Sequence, residues 1–276
     1  MNNYNNFAVM SYSFHGLLSA GAMDVFGYME TMRYRYNLQT ADIWNGFLES
    51  YDDHYLKLVR QNLDERGLTV VNLCCDYANL WDNDKEERDK CEKVAWDCLR
   101  AAEILGAKTI RMDAGVREMN FSDEQLEHVV GKYRKYCARA KEIGAKLGPE
   151  NHWGASTHSP GELKKLFDGV DMDNFGLLLH LGNWQSTDDE AVKDKYDQEM
   201  IDKAFHIHIN YEHCVDADRV LPPLVKNGYS GCWTVESHKG VNEYNNVAFQ
   251  LAQIKRVISP LIYETKKIVT IPEYKD

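Results

Sequence analysis

The chain has 276 residues, 44% hydrophobic and 27% charged, with a formal net charge of −11 at pH 7. That is enough chain to bury a sizeable core within one domain, and the acidic balance argues against a nucleic-acid partner, because phosphate binding runs on Lys and Arg. No apolar run approaches the ~18 residues of a membrane span, so no membrane partner is expected, and the N-terminal Met-Asn-Asn-Tyr-Asn-Asn lacks the basic and apolar segments of a secretory signal.

Short apolar or β-branched runs at Phe7–Ser13, Leu38–Ile43, Thr69–Cys75, Thr109–Ala114, Lys146–Glu150, Gly176–His180, Ala204–His208 and Cys232–Glu236 read as strands. Helical patterns fill the gaps. Asp24–Tyr34 is a plausible first helix. Asp53–Arg66 places Tyr55, Leu58, Val59 and Leu63 at helical spacing, with Gly67 as a C-cap, and Lys85–Leu105 ends the same way at Gly106. Ser122 and Gln125 form a capping-box signature that opens a helix running to about Lys146. Ser159-Pro160-Gly161-Glu162 sets an N-cap, a first-turn proline and an N3 glutamate in the favoured order. Thr187–Lys203 is polar and weakly periodic; Arg219–Asn227 with Gly228, and Asn242–Ile258, complete the set. The seven cysteines, Cys74, Cys75, Cys91, Cys98, Cys137, Cys214 and Cys232, are odd in number and follow no framework, as expected of reduced thiols in a cytoplasmic protein.

Strand–helix repeats without a Pro/Ser/Gly-rich break predict an α/β fold, a single (β/α)8 TIM barrel over residues 1–276, with 260–276 as a C-terminal tail. A doubly wound dinucleotide fold would carry a glycine-rich turn after an early strand, and neither G-x-G-x-x-G nor G-x-x-x-x-G-K-[ST] occurs.

In such a barrel the active site lies at the carboxyl ends of the strands. The polar residues there are His15, Asp42, Asp76, Arg111 with Asp113, Glu150, His180, His208 and Glu236. The last four follow consecutive apolar runs and should point into the mouth. Two carboxylates and two imidazoles converging in this way form a site for a divalent cation, and their mix of oxygen and nitrogen suits Mn²⁺, Co²⁺, Fe²⁺ or Zn²⁺ better than Mg²⁺. His206 shares the inward face of its strand with His208, and His208, nearer the end, is taken as the ligand. His54, His128 and His158 are expected to be solvated. Glu150 lies within Gly-Pro-Glu-Asn-His-Trp-Gly, residues 148–154. His152 there is either a second acid/base group or a loop residue bonded to backbone. Trp153 and Trp184 either form an apolar wall for a sugar ring or seal the barrel top. His15 and Asn183 are further candidate substrate contacts.

At these residues the chain resembles the xylose-isomerase-like TIM barrels, the sugar phosphate isomerase/epimerase superfamily, which also holds hydroxypyruvate isomerases, inosose dehydratases and endonuclease IV repair enzymes. The resemblance runs from Ser11-Tyr12-Ser13-Phe14 to Glu236. The family pattern of Glu, Asp, His and Glu after strands five to eight falls on Glu150, His180, His208 and Glu236, which the resemblance implies are the metal ligands. Leu-Leu-Leu-His-Leu-Gly-Asn-Trp departs from the family by placing His180 where Asp is usual, with the loss of one negative charge. Asn210 stands where a basic residue is usual, which weighs against a phosphorylated substrate.

The resemblance implies a metal-dependent isomerase or epimerase, with Mn²⁺ the first expectation, that abstracts a proton next to a carbonyl through an enediolate. Glu150 and Glu236 would be the acid/base pair, joined by His152. The substrate would be a small carbohydrate or keto-sugar, and association into homo-oligomers or with a heteromeric partner subunit is expected from the resemblance. Two alternatives stay open: a lyase of the same family acting on keto-sugars (a dehydratase or C-glycoside deglycosidase large subunit), and a non-catalytic binding subunit whose metal site has been modified at His180.

Overall fold

The structure, a computed structural model, describes residues 6–152 and 157–268, with side chains as far as 262. Its strands are β1 (Phe7–Val9), β2 (Thr40–Trp44), β3 (Thr69–Cys74), β4 (Thr109–Arg111), β5 (Lys146–Gly148), β6 (Leu177–His180), β7 (Ala204–Ile209) and β8 (Trp233–Val235). All pair in parallel, in two four-stranded arcs ordered β1-β8-β7-β6 and β2-β3-β4-β5. Parallel bridges join the arcs at both seams, Met10 to Asp42 on one side and Leu147 to Phe175 and Glu150 to Leu178 on the other. The result is the TIM barrel expected from the strand–helix repeat.

The seams depend on particular residues. Between β5 and β6 the backbones approach so closely that a Cβ on Gly148 would lie 1.8 Å from the Gly176 carbonyl oxygen. Between β1 and β2 the Tyr28 hydroxyl takes the place of ladder bonds, donating to the Val9 carbonyl at 2.6 Å and accepting from the Asp42 N–H at 2.9 Å.

The outer helices are α1 (Val25–Glu30), continued by a π-helical turn over Thr31–Arg35, α2 (Asp53–Glu65), α3 (Lys85–Leu105), α4 (Asp123–Glu142), α5 (Pro160–Val170), α6 (Glu190–Met200), α7 (Ala217–Lys226) and α8 (Glu243–Ile268). The expected caps are present. Ser122 and Gln125 close a reciprocal capping box on α4, and the Ser159 hydroxyl accepts from the Glu162 N–H ahead of Pro160 on α5. The polar segment before β7 is helical as α6, opened by Asp189, which accepts from the N–H groups of Ala191 and Val192. Two expectations are corrected. The last helix passes Ile258 and Pro260 to reach Ile268, so the first part of the expected tail is helix. His158 is buried, and its carbonyl accepts from Ser186. None of the described helices is long and apolar enough to cross a membrane.

Inside the barrel, Met10, Cys74, Leu178 and Phe205 make a small apolar cluster. Alongside it runs a buried polar chain: Thr109 Oγ1 donates to Asn72 Oδ1 at 2.9 Å, Asn72 Nδ2 donates to Asp42 Oδ1 at 2.9 Å, and Asp42 Oδ2 meets His206 Nε2 at 2.7 Å. Threading one bond through β4, β3, β2 and β7, it fixes the Asp42 carboxylate beneath the barrel mouth.

Candidate metal centre

β1 ends at Val9, and the chain then turns through a 3-10 segment at Ser11–Phe14. This removes His15 from the mouth. His15 stacks behind the Tyr12 ring at 4.5 Å, with its Nδ1 bonded to the Tyr12 carbonyl at 2.8 Å, and Tyr12 lines the cavity in its place. β4 and β5 are three residues each, so Asp113 and Glu150 lie on irregular backbone above the sheet. The mouth holds a cavity of about 310 Å³, whose lining includes Glu150, His152, His180, Asn183 and Glu236. Trp153 lies outside the described residues. Trp184 is buried away from the cavity, its indole N–H donating to Asp197 Oδ1 at 2.7 Å, so it braces the loop after β6. The same loop needs Gly182, at φ +67, because a Cβ there would lie 2.4 Å from the His213 ring.

Glu150, His180, His208 and Glu236 are all buried, and each offers a ligand atom within 4.8 Å of the other three. His180 Nδ1 lies 2.9 Å from Glu150 Oε1 and 3.4 Å from Glu236 Oε2, between the two glutamates. His208 Nδ1 lies 3.0 Å from Glu236 Oε2, yet neither atom makes a hydrogen bond. His208 Nε2 sits 2.9 Å from Asp42 Oδ2, an acceptor, which places an N–H on Nε2, so that in the neutral ring Nδ1 carries the lone pair. Facing Glu236, Nδ1 thus holds a proton when the ring is charged, or a lone pair free for a cation when it is neutral. Ligands about 2.1 Å from one cation stand about 3.0 Å apart at right angles and about 4.2 Å apart when opposed. The spacings here match that range, and the carboxylate–imidazole pair behind His208 is the usual arrangement for orienting a metal-binding histidine. The residues fit a divalent ion.

The electrostatics point the same way. Asp42, Asp76, Asp113, Glu150 and Glu236 crowd the mouth with Arg111 among them. Burial opposes ionisation of Glu236, but His208 beside it holds its carboxyl well below the usual range. Burial likewise opposes charge on Glu150, while His180, Arg111 and His152 keep its carboxyl low. Burial pushes the His208 ring down, yet Glu236 and Asp42 outweigh it and draw positive charge onto the imidazole. His152 Nε2 stands 2.9 Å from Asp113 Oδ2; burial opposes its protonation, but Asp113 and Glu150 raise it to about 9. The site is an anionic pocket that gathers positive charge.

Several functional neighbours escaped the reading of the sequence. Asp42, Asp76, Arg111 and Asp113 were visible as strand ends, but their partners were not. His238, two residues past Glu236, lines the cavity with its Nε2 at 3.5 Å from Glu236 Oε2, and Trp44 lines it from the end of β2. An inward aromatic at a strand end was the available signal for Trp44. His206 is a buried layer residue, bonded to Asp42 and Thr234.

Comparison with known proteins agrees with this architecture. A family model described as xylose isomerase-like TIM barrel matches residues 26–250. No match is found among curated proteins. Among solved structures, the apo form of 3-keto-D-glucoside 4-epimerase, YcjR, from E. coli is 14% identical, with a TM-score of 0.73 over 91% of this chain and 99% of that one. L-ribulose 3-epimerase is 12% identical, with a TM-score of 0.71 over 98% of this chain and 99% of that one. The IOLI protein with a binding zinc atom is 15% identical, with a TM-score of 0.70 over 94% of this chain and 98% of that one. At these identities the likeness is one of fold.

Proposed function

The chain belongs to the xylose isomerase-like TIM barrel family, and we propose that it is a divalent-metal-dependent enzyme that moves a proton at a carbon next to the carbonyl of a sugar or keto-sugar. The observation that carries this reading is the set of buried ligand atoms gathered within 4.8 Å, of which His208 Nδ1 and Glu236 Oε2 lack any hydrogen-bond partner. Glu150, His180, His208 and Glu236 would hold the cation, with Mn²⁺ first among Mn²⁺, Co²⁺, Fe²⁺ and Zn²⁺ on the mixed oxygen and nitrogen donors. When bound, it would supply Lewis-acid polarisation of a substrate carbonyl.

The proton work falls to the chain. Glu150, kept ionised by Arg111 Nε at 3.2 Å and by His180, is the base that removes the proton from the carbon. Glu236, reaching the same point from β8, returns it. Return to the same carbon from the opposite face gives epimerisation, and return to the neighbouring carbon gives aldose–ketose isomerisation. Asp42 holds the His208 ring in one tautomer throughout. His238, half-exposed beside Glu236, is placed to exchange protons with solvent.

A lyase reading is favoured by one specific feature. His152, paired with Asp113, is a further proton donor within the cavity, placed to protonate a leaving group while a glutamate takes the proton from carbon. Incubation of metal-loaded protein with ketoses and 3-keto-glycosides in heavy water separates the readings. Isomerase or epimerase action puts one deuterium on the carbon chain of a recovered sugar, and lyase action releases a fragment. Exchange that survives in both Glu150→Gln and Glu236→Gln contradicts the two-glutamate scheme.

A further inference from the structure

Tyr12, Trp44 and Asp76 have no part in the proton chemistry above, yet this stretch of the cavity wall is built with equal care. We propose that this wall is a recognition subsite for the non-reacting part of the substrate, a neutral ring bearing vicinal hydroxyls that lies against Trp44 and donates hydrogen bonds to Asp76. The assignment rests on the sugar-enzyme reading and extends it to substrate choice.

Asp76 is the centre of the wall. Its Oδ2 accepts from the Trp44 indole N–H at 2.8 Å, and its Oδ1 faces Arg111 Nη1 at 2.9 Å. A carboxylate oxygen has room for a second donor, and the Asp76 side chain is 37% exposed. Two hydroxyls of one ring can therefore add to its two oxygens. The carboxylate cannot drift, because Asn45 holds the Asp76 backbone from both directions: the Asp76 N–H donates to Asn45 Oδ1 at 3.0 Å, and Asn45 Nδ2 donates to the Asp76 carbonyl at 2.9 Å. The following residue, Tyr77, is kept in the left-handed region at φ 61, a strained conformation for a bulky side chain and one that tends to mark functional sites. Trp44 is pinned through its N–H and packed edge-on against Tyr12 at 5.1 Å and 84°. Tyr12 is in turn backed by His15. A fixed indole beside a fixed carboxylate offers apolar contact to the C–H face of a ring and acceptors to its hydroxyls.

The charge of the ligand follows from Arg111. Among the described residues it is the only Lys or Arg lining the cavity, and its nitrogens lie 2.6 Å from Asp113, 2.9 Å from Asp76 and 3.2 Å from Glu150. No second Lys or Arg of the described lining is left to receive a phosphate or carboxylate on the ring, His152 is paired with Asp113, and Asp76 repels an anion.

The test compares methyl β-D-glucopyranoside with its 6-phosphate, titrated into Zn²⁺-loaded protein whose tryptophan indoles are ¹⁵N-labelled. The neutral glycoside should shift the Trp44 indole signal and bind at least about tenfold tighter than the phosphate. Asp76→Asn should weaken the neutral glycoside about tenfold and erase the discrimination, the scale of losing hydrogen bonds to a charged group. Trp44→Phe keeps a ring but loses the N–H anchor and should cost less, and Trp44→Ala more. The two tryptophan variants keep the test decisive if Asp76→Asn fails to fold. Failure of the neutral glycoside to bind, a phosphate that binds as tightly, or unchanged affinity in the variants overturns the subsite. Deuterium exchange reports on the other reading: discrimination without exchange on any keto-sugar sinks the proposed reaction and keeps the subsite, and exchange without discrimination does the reverse.

Discussion

The two sides of the barrel mouth are both crowded with carboxylates, but they treat them differently. On the β1–β4 side each acceptor has a donor: Asp76 has Trp44 and Arg111, Asp113 has Arg111 and the Glu150 N–H, and the Asp76 backbone has Asn45. On the β5–β8 side the pairing is incomplete: Glu150 has His180 and Arg111, whereas His208 Nδ1 and Glu236 Oε2 stand 3.0 Å apart without a hydrogen bond. A satisfied network is a rigid wall suited to recognition. A set of converging, unpaired lone pairs is stable only with a cation or a proton at its centre. Burial and acidity alone would not tell the two apart, whereas counting donors does.

The comparison is broken most directly by removing an acceptor on the unpaired side. Glu236→Gln should lower proton exchange by about 10²–10⁴-fold, the range for a positioned acid/base group, and lower the melting temperature of the metal-free protein, because His208 loses the carboxylate that offsets its charge. The next largest effect tests the seam that brings the two sides together. Gly148→Ala puts a methyl group 1.8 Å from the Gly176 carbonyl and should cost about 3 kcal/mol or more of stability by denaturant unfolding. A smaller and more selective effect is expected for Asp42→Asn. It leaves all four ligands in place but frees the His208 tautomer, so metal affinity measured by competition with a chelator should fall about 10–100-fold.

An effect read as a slope with pH rather than as a single loss lies below the unpaired side, at Asp197, which supports the loop after β6. Burial pushes its carboxyl up to about 8, against the bonds from Trp184 and Gly182. The unfolded carboxyl loses its proton near pH 4. Between about pH 4 and about pH 8 the folded chain thus holds a proton that the unfolded chain has released. This group's contribution to stability falls as pH rises through that window, by up to about 1.4 kcal/mol per pH unit. Subtracting the denaturation curve of Asp197→Asn from that of the wild type, pH by pH, should isolate that slope; a flat difference contradicts the buried-acid assignment.

Much of this was legible in the chain itself. Each expected strand is present, and Glu150, His180, His208 and Glu236 could be picked out because each ends an apolar run, a pattern that period-two alternation translates directly into position. The caps at Ser122 and Ser159 were legible for the same reason, since they involve neighbours three residues apart. What was hidden depends on closure of the barrel. Asp42 and His206 are 164 residues apart in sequence and 2.7 Å apart in space, and no local pattern announces that. His15 was misplaced because β1 stops early and the 3-10 turn swings Tyr12 into the mouth. His158 was misread because its polarity suggested solvent, while the residue is buried ahead of α5.

The central claim is that β5–β8 hold one divalent ion between Glu150, His180, His208 and Glu236. Metal content by mass spectrometry, on protein loaded with Mn²⁺ or Zn²⁺ and desalted, tests it most directly. The account predicts about one ion per chain in the wild type, none retained in a Glu150→Gln, Glu236→Gln double variant, and a fall in melting temperature when EDTA strips the wild type. Wild-type protein that retains no ion and melts at the same temperature with and without EDTA would contradict it.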